Sequence, residues 1–303
     1  MALKSRTLED RVFDTVNVSG LILLAFVTLY PFWYILVISF NSAVDTVRGG
    51  YLLFPREFTL YNYQVLLRDN SIFRAALVSV ARTVIGTSLS VFSTAMLAYT
   101  LSRREYFLRR PITLLFVLTM YFNGGLIPTY FLIRGVGLLN SFFVYIIPQL
   151  VVAFNVIVMR TNMEAIPESL IESARIEGAN DFVTFSRIVL PLSMPVVATI
   201  ALFVGVAQWN SWFDTFLYAP REPQLFTLQY ELMRILQSTM STQTMQSAEA
   251  MLERFDREQV AQVVTPKAIR SSMTILATAP IIFVYPFLQR YFVKGFLVGG
   301  IKE

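Results

Sequence analysis

The chain contains no cysteine and no histidine. That excludes disulfides, thiolate nucleophiles, imidazole bases and Cys/His metal sites. Carboxylates remain as the main enzymatic route, yet charged residues make up only 15% of the chain, against about 25% in an ordinary soluble domain. No polar stretch is long enough to fold as a separate soluble domain. The ten-residue alternating segments of a membrane β-barrel are also missing. No phosphate-binding loop of the form GxxxxGK(S/T) occurs, so the chain is not expected to hydrolyse ATP itself.

What is present is apolar. Hydrophobic residues reach 55%, and the mean hydropathy is +0.57. Several runs exceed the roughly 18 apolar residues needed to cross a bilayer, and the chain reads as six spans. They cover about 18–40, with Pro31 inside, then 77–101, 112–133, 141–158, 196–216 and 272–288. The first run is about twenty residues long and no small-x-small cleavage site follows it, so it reads as a retained span rather than a signal peptide. The expected fold is an all-α membrane protein of six transmembrane helices, a single domain over residues 1–303. The net charge of +5 fits basic residues flanking spans and is no sign of nucleic-acid binding.

Basic loops set the orientation. Arg103, Arg104, Arg109 and Arg110 oppose one acid, Glu105, in the short connection after the second span. The positive-inside rule makes that loop cytoplasmic. Both termini then lie inside, in agreement with Lys4, Arg6, Arg11, Arg290, Lys294 and Lys302. Residues of about 160–191 also fall inside, and residues of about 217–271 form a long outer loop. That loop reads as two amphipathic helices, about 226–237 and 248–263. It is either a lid over the membrane core or a docking surface for a soluble partner.

The inner loop is the most informative stretch. Pro167 and Glu168 suit a helix N-terminus. Leu170, Ile171 and Ala174 form an apolar stripe at helical spacing. Gly178 is placed to end that helix with a left-handed residue. Asn180 or Asp181 can cap a second helix, and Pro191 and Pro195 mark the entry into the fifth span. The spacing predicts a helix-turn-helix handle. A lipid-surface helix is the alternative, but its face is acidic, with Glu164, Glu168, Glu172, Glu177 and Asp181, whereas interfacial helices are usually basic.

The pattern Glu172-x-Ala174-x3-Gly178-Ala179-x8-Ile188-x-Leu190-Pro191 resembles the EAA loop of bacterial ABC importer permeases. Ser173 stands where that family usually has Ala. The resemblance implies the type I ABC importer (MetI-like) permease fold. It also implies that Glu172, Ser173, Ala174, Gly178, Ala179, Ile188, Leu190 and Pro191 couple the chain to an ATPase. The place of the loop between spans four and five is similar to the smaller permease of the maltose importer. Trp209-Asn210-Ser211-Trp212-Phe213 resembles a motif of carbohydrate permeases. The ending, residues 285–295 followed by Gly299-Gly300-Ile301-Lys302, looks like the subgroup importing complex and acidic oligosaccharides such as aldouronate and alginate.

The resemblance further implies partners. These are a homologous second permease, two cytoplasmic ATPase subunits that carry ATP and Mg, an extracytoplasmic solute-binding protein and a saccharide. The location implied is the bacterial cytoplasmic (inner) membrane. The C-terminal tail, residues 296–303, would reach the ATPase dimer interface. No cofactor and no metal is expected in the chain itself.

Candidate substrate-path residues are Arg82, Tyr121, Asn123, Trp209 and Asn210. Tyr121-Phe122-Asn123-Gly124-Gly125-Leu126-Ile127-Pro128 interrupts the third span. It offers ring faces and an amide for a sugar, or small residues for close helix packing. Trp209, Asn210 and Trp212 either serve the same path or form an interfacial aromatic belt. Arg82 either snorkels outward or meets a uronate carboxylate. Asp214 lies near the outer end of the fifth span. The scarcity of mid-membrane carboxylates speaks against an ion-coupled secondary sugar transporter and against an intramembrane enzyme.

Overall fold

The computed structural model describes residues 8–50, 53–241 and 265–300. The described residues are helical apart from turns and one isolated antiparallel bridge, Asn41 to Phe58. They group into two compact units, residues 1–69 with 235–278, and residues 70–234 with 279–303.

In the first unit, α1 (Leu8–Ser39) is a 32-residue helix that carries Pro31 inside it. At about 1.5 Å per residue it exceeds the thickness of a hydrocarbon core. Most of its large apolar side chains up to Trp33 are exposed, and burial is reached only at Val37, Ile38 and Ser39. A polar knot follows, with α2 (Ala43–Arg48) and α3 (Tyr61–Arg68). The Asn41 amide nitrogen donates to Asp45 Oδ2 at 2.9 Å and to Thr46 Oγ1 at 3.1 Å, and its oxygen accepts from the Glu57 backbone N–H. Asn62 donates to the carbonyls of Ser39 and Asn41. Ser272, on the closing helix Pro266–Gly300, donates to the same Ser39 carbonyl at 3.3 Å. Backbone groups freed at the end of α1 are thereby satisfied by asparagine side chains.

The second unit is built on α4 (Asn70–Ser102), 33 residues long. Its buried line, Ala75, Ser79, Arg82, Gly86, Ser90, Thr94 and Ala98, steps by three or four residues. Its large apolar residues, Leu77, Val84, Leu89, Phe92 and Met96, are exposed. This inverts a soluble helix. Lipid takes the bulky face and small residues let neighbouring helices come close. Packed there are α7 (Ala153–Glu164) and α11 (Met194–Asn210). Ala95, Ala98, Tyr99, Met159, Met163, Ile200 and Val204 form one apolar cluster.

Three expected spans are unbroken helices long and apolar enough to cross a membrane: α1, α4 and the closing helix. The third is divided, as Tyr121–Pro128 suggested, into α5 (Arg109–Tyr121) and α6 (Leu126–Gly135). The fourth and fifth depart from the continuous helices expected. Residues 141–152 form two short 3-10 turns bent by 49° from α7. Pro148 lacks a backbone N–H, and β-branched Val144, Ile146, Ile147, Val151 and Val152 disfavour a regular helix around it. The fifth span stops at Asn210, and α12 (Phe213–Tyr218) begins after a break at Ser211 and Trp212.

The first expected outer helix is present as α13 (Leu228–Ser241). The second, residues 248–263, lies outside the described residues, as do residues 301–303. Residues 296–300 continue the closing helix.

Ala98→Leu should cost about 1–3 kcal/mol by overpacking the α4 face. Leu89→Ala, on the lipid-facing side, should change little. Thermal unfolding of the purified chain in one detergent compares the two.

Candidate coupling handle and a buried ion pair

The handle is built as its residues dictate. α8 (Glu168–Ile176) buries Ile171 and Ala174, while Leu170 from the expected stripe stays half exposed. Gly178 has φ +81°. Its N–H donates to the Arg175 carbonyl at 3.0 Å, and the Ala179 N–H donates to the Ala174 carbonyl at 2.9 Å. These are the two bonds of a Schellman turn, which closes a helix C-terminus on itself and favours glycine at the left-handed residue. Of the two expected caps, Asn180 serves, accepting from the Val183 N–H at 2.8 Å.

α9 (Asp181–Thr184), a π-helical turn Phe185–Val189 and α10 (Leu190–Leu192) complete the second arm. This arm meets α11 at 83°. Phe185 and Val189 join Ile171 in the apolar cluster against α4. Ile188 and Leu190 are half-buried, and Pro191 is exposed.

Glu172, Ser173 and Gly178 face outward, and Ala179 is half-buried. Two exposed apolar side chains, Ile176 at 88% and Phe182 at 60% exposure, sit beside the turn. The sequence reading passed over both. Ile176 lies off the Ile171/Ala174 stripe, and that was the available signal. A handle anchored by one face therefore leaves a small, partly apolar outer face exposed.

Arg175 fixes the base of the handle. Its Nη1 and Nη2 donate to Glu105 Oε1 and Oε2 at 2.5 and 3.2 Å, and Nη2 also donates to Asp181 Oδ1 at 3.4 Å. The Arg175 hydrogen bond holds the Glu105 carboxyl below the usual carboxylate range. A depressed carboxylate pKa contributes stabilisation above its ordinary value that is lost only as pH falls through the depressed one. The pair therefore persists through neutral pH.

Arg82 is neither a snorkelling arginine nor an open one. It is fully buried. Its Nε and Nη2 donate to Gln208 Oε1 at 3.1 and 2.9 Å. Nη1 and Nη2 donate to Asp214 Oδ1 and Oδ2 at 3.1 and 2.5 Å, and Nη1 also donates to the Ser211 carbonyl at 3.4 Å. A guanidinium has five N–H donors; these bonds engage all of them and leave none for a substrate carboxylate. The charge also lies 4.4 Å from the centre of the Tyr145 ring.

Gln208 passes the connection on, donating to the Tyr145 carbonyl at 3.1 Å. Gly86 makes room for it: a Cβ there would stand 3.0 Å from the Gln208 amide nitrogen. Nearby, the Ser79 hydroxyl accepts from the Leu228 N–H at 2.8 Å. Two opposite charges, one in each of two apolar runs and both near the same end, were the sequence signal for this pair.

The remaining path candidates separate. Trp209 is buried. Asn210 is exposed, with its oxygen 3.4 Å from the Gln229 amide. Tyr121 and Phe122 are exposed at 80% and 75%. Asn123 is exposed and accepts from the Gly125 N–H at 2.8 Å. The structure brings Tyr121 and Asn123 onto one break but leaves Arg82 and Trp209 inside the bundle. Among the described residues no group of three or more acidic side chains could hold a metal ion.

The described residues thus form a helical bundle that carries an anchored, outward-facing handle. Residues 69–298 match the family described as binding-protein-dependent transport system inner membrane component, and the chain belongs to that family. The polygalacturonan/rhamnogalacturonan transport system permease protein YtcP of Bacillus subtilis (strain 168) is 36% identical over 297 residues, 97% of this chain and 100% of that one. Protein LplC of the same organism is 35% identical, covering 98% and 97%. A solved bacterial ABC transporter involved in the import of the acidic polysaccharide alginate has a chain that superposes with a TM-score of 0.83. That chain is 29% identical, with 96% of this chain and 100% of that one covered. The chain is a permease subunit of an ABC importer, as the pattern from Glu172 to Pro191 implied.

Removing one member of the buried pair, by Arg82→Leu or Asp214→Leu, should cost about 3–5 kcal/mol because the other charge is left unpaired. Arg82→Leu combined with Asp214→Leu should cost less than the sum. Thermal unfolding in detergent reads both, and additive losses would show that the two charges do not act as a pair.

Proposed function

We propose that the chain forms half of the translocation pathway for an acidic, uronate-containing oligo- or polysaccharide, with alginate as the leading candidate. A homologous second permease forms the other half. Two cytoplasmic ATPase subunits bind ATP and Mg, and a solute-binding protein delivers the sugar from outside. The chain acts as one membrane domain with both termini cytoplasmic, and it carries no cofactor or metal of its own.

The observation that carries this reading is the handle. One face of α8 is anchored by Ile171 and Ala174, while Glu172, Ser173, Ile176 and Phe182 remain exposed around a turn closed at Gly178. Closure of the ATPases on ATP moves this outer face, and the helices anchored behind it exchange inward- and outward-facing states. The substrate class rests on two similar proteins, one named for polygalacturonan/rhamnogalacturonan transport and one involved in alginate import. Tyr121, Asn123 and Asn210 are exposed groups suited to stacking on and hydrogen bonding to a sugar. Trp209 is buried and does not face such a path. Arg82 holds the bundle rather than the substrate.

Affinity purification of the full chain from membranes should recover a second permease and an ATPase. Uronate oligosaccharides with the binding protein should raise ATP hydrolysis severalfold, and neutral oligosaccharides should not. Stimulation by neutral sugars alone would reject the acidic substrate class.

Gly178 gives a second test. A Cβ there meets nothing within 4 Å in this chain, so Gly178→Ala costs only left-handed backbone strain of roughly 1–2 kcal/mol. Gly178→Trp adds bulk toward the partner. It should abolish substrate-stimulated hydrolysis and weaken ATPase association, while normal assembly and stimulation would remove Gly178 from the docking face.

A further inference from the structure

The connection between α4 and α5 grips the handle from the side. Arg103 Nη2 donates to the Met163 carbonyl at 3.4 Å, near the end of α7, and its guanidinium lies 5.1 Å from the Tyr99 ring centre. Glu105 takes both ends of the Arg175 guanidinium, which also reaches Asp181 at the start of α9. One arginine thus joins both arms of the handle to the loop that ends α4.

Two routes lead from α8 into the bundle. The covalent route runs through Gly178, the π-helical turn and the 83° bend before α11. The other crosses the Arg175–Glu105 pair and enters α4 three residues away, at Ser102. α4 is unbroken from there to Arg82 and Ser79. Those residues hold Gln208 and Asp214 near the start of α12, and the N-terminus of α13 through Leu228. Ile171 and Ala174 also attach α8 to the bundle, but apolar contacts are non-directional. A planar fork against a carboxylate is directional.

We propose that Glu105 is a positioning residue for energy coupling. Its two-point hold on Arg175 sets the orientation of α8 and carries the displacement of the handle into α4, and through Arg82 and Ser79 to the starts of α12 and α13. An ion pair this exposed adds little to stability, so its contribution is geometric. The proposal rests on the reading of the handle as the ATPase grip.

The test uses the assembled importer in vesicles, measuring sugar imported per ATP hydrolysed. Glu105→Gln should retain the ATPase and lower that ratio by about fivefold or more, the lower end of site-to-site coupling. The chain has no cysteine, so Glu105→Cys with Arg175→Cys introduces its only thiols. A short bis-maleimide crosslinker, which adds each thiol across a C=C bond, should restore much of the ratio without restoring any charge. An unchanged ratio in Glu105→Gln, or no recovery on tethering, overturns the proposal while leaving the grip itself in place. Absence of the ATPase from the unmodified chain overturns both.

Discussion

Close approach along α4 is the constraint on which the rest of the larger unit depends. Ala75, Ser79, Gly86, Ser90, Thr94 and Ala98 remove bulk from one face of a 33-residue helix. In a bilayer this matters more than greasiness, because lipid chains are as apolar as leucine and offer helices no hydrophobic reason to associate. Packing and hydrogen bonds must supply the attraction. The small face lets α7 and α11 come near, and at Gly86 it leaves space for Gln208 to reach Arg82. Bulk at that face would separate the helices and unpair a buried charge at once.

The same helix meets two demands at its two ends. At one end, a buried guanidinium needs every donor satisfied, and α11, the Ser211 break and α12 satisfy them. At the other, Tyr99 and Phe185 pack at 5.4 Å between ring centres, tying α4 to the second arm of the handle. The helix breaks fall where freed backbone groups find partners: the Ser211 carbonyl on Arg82, and the Gly125 N–H on Asn123. Irregular backbone at membrane depth is tolerated on that condition.

Much of this was legible in the residues. Three of the six apolar runs, the handle, its Gly178 turn and the Asn180 cap follow from local rules of hydropathy, spacing and φ preference, and the structure has them at those residues. The interruption at Tyr121–Pro128 was legible for the same reason. What was not legible depends on distant pairing. Arg82 reads as alone because its partners lie more than 120 positions away. Pro148 was passed over because the run around it is uniformly apolar, and hydropathy averages across a break. Arg175 and Glu105 are 70 positions apart, and their joining is a fact of packing rather than of pattern.

The closed state of Arg82 bears on throughput. A lone positive charge beside a conduit is a sink for a polyanion: every uronate would pause there, and the rate would be set by how fast each one lets go. By spending all five of its donors inside the bundle, Arg82 cannot act as such a sink. Under the proposed substrate class, guidance of an acidic chain falls to groups other than Arg82, whose donors are already engaged.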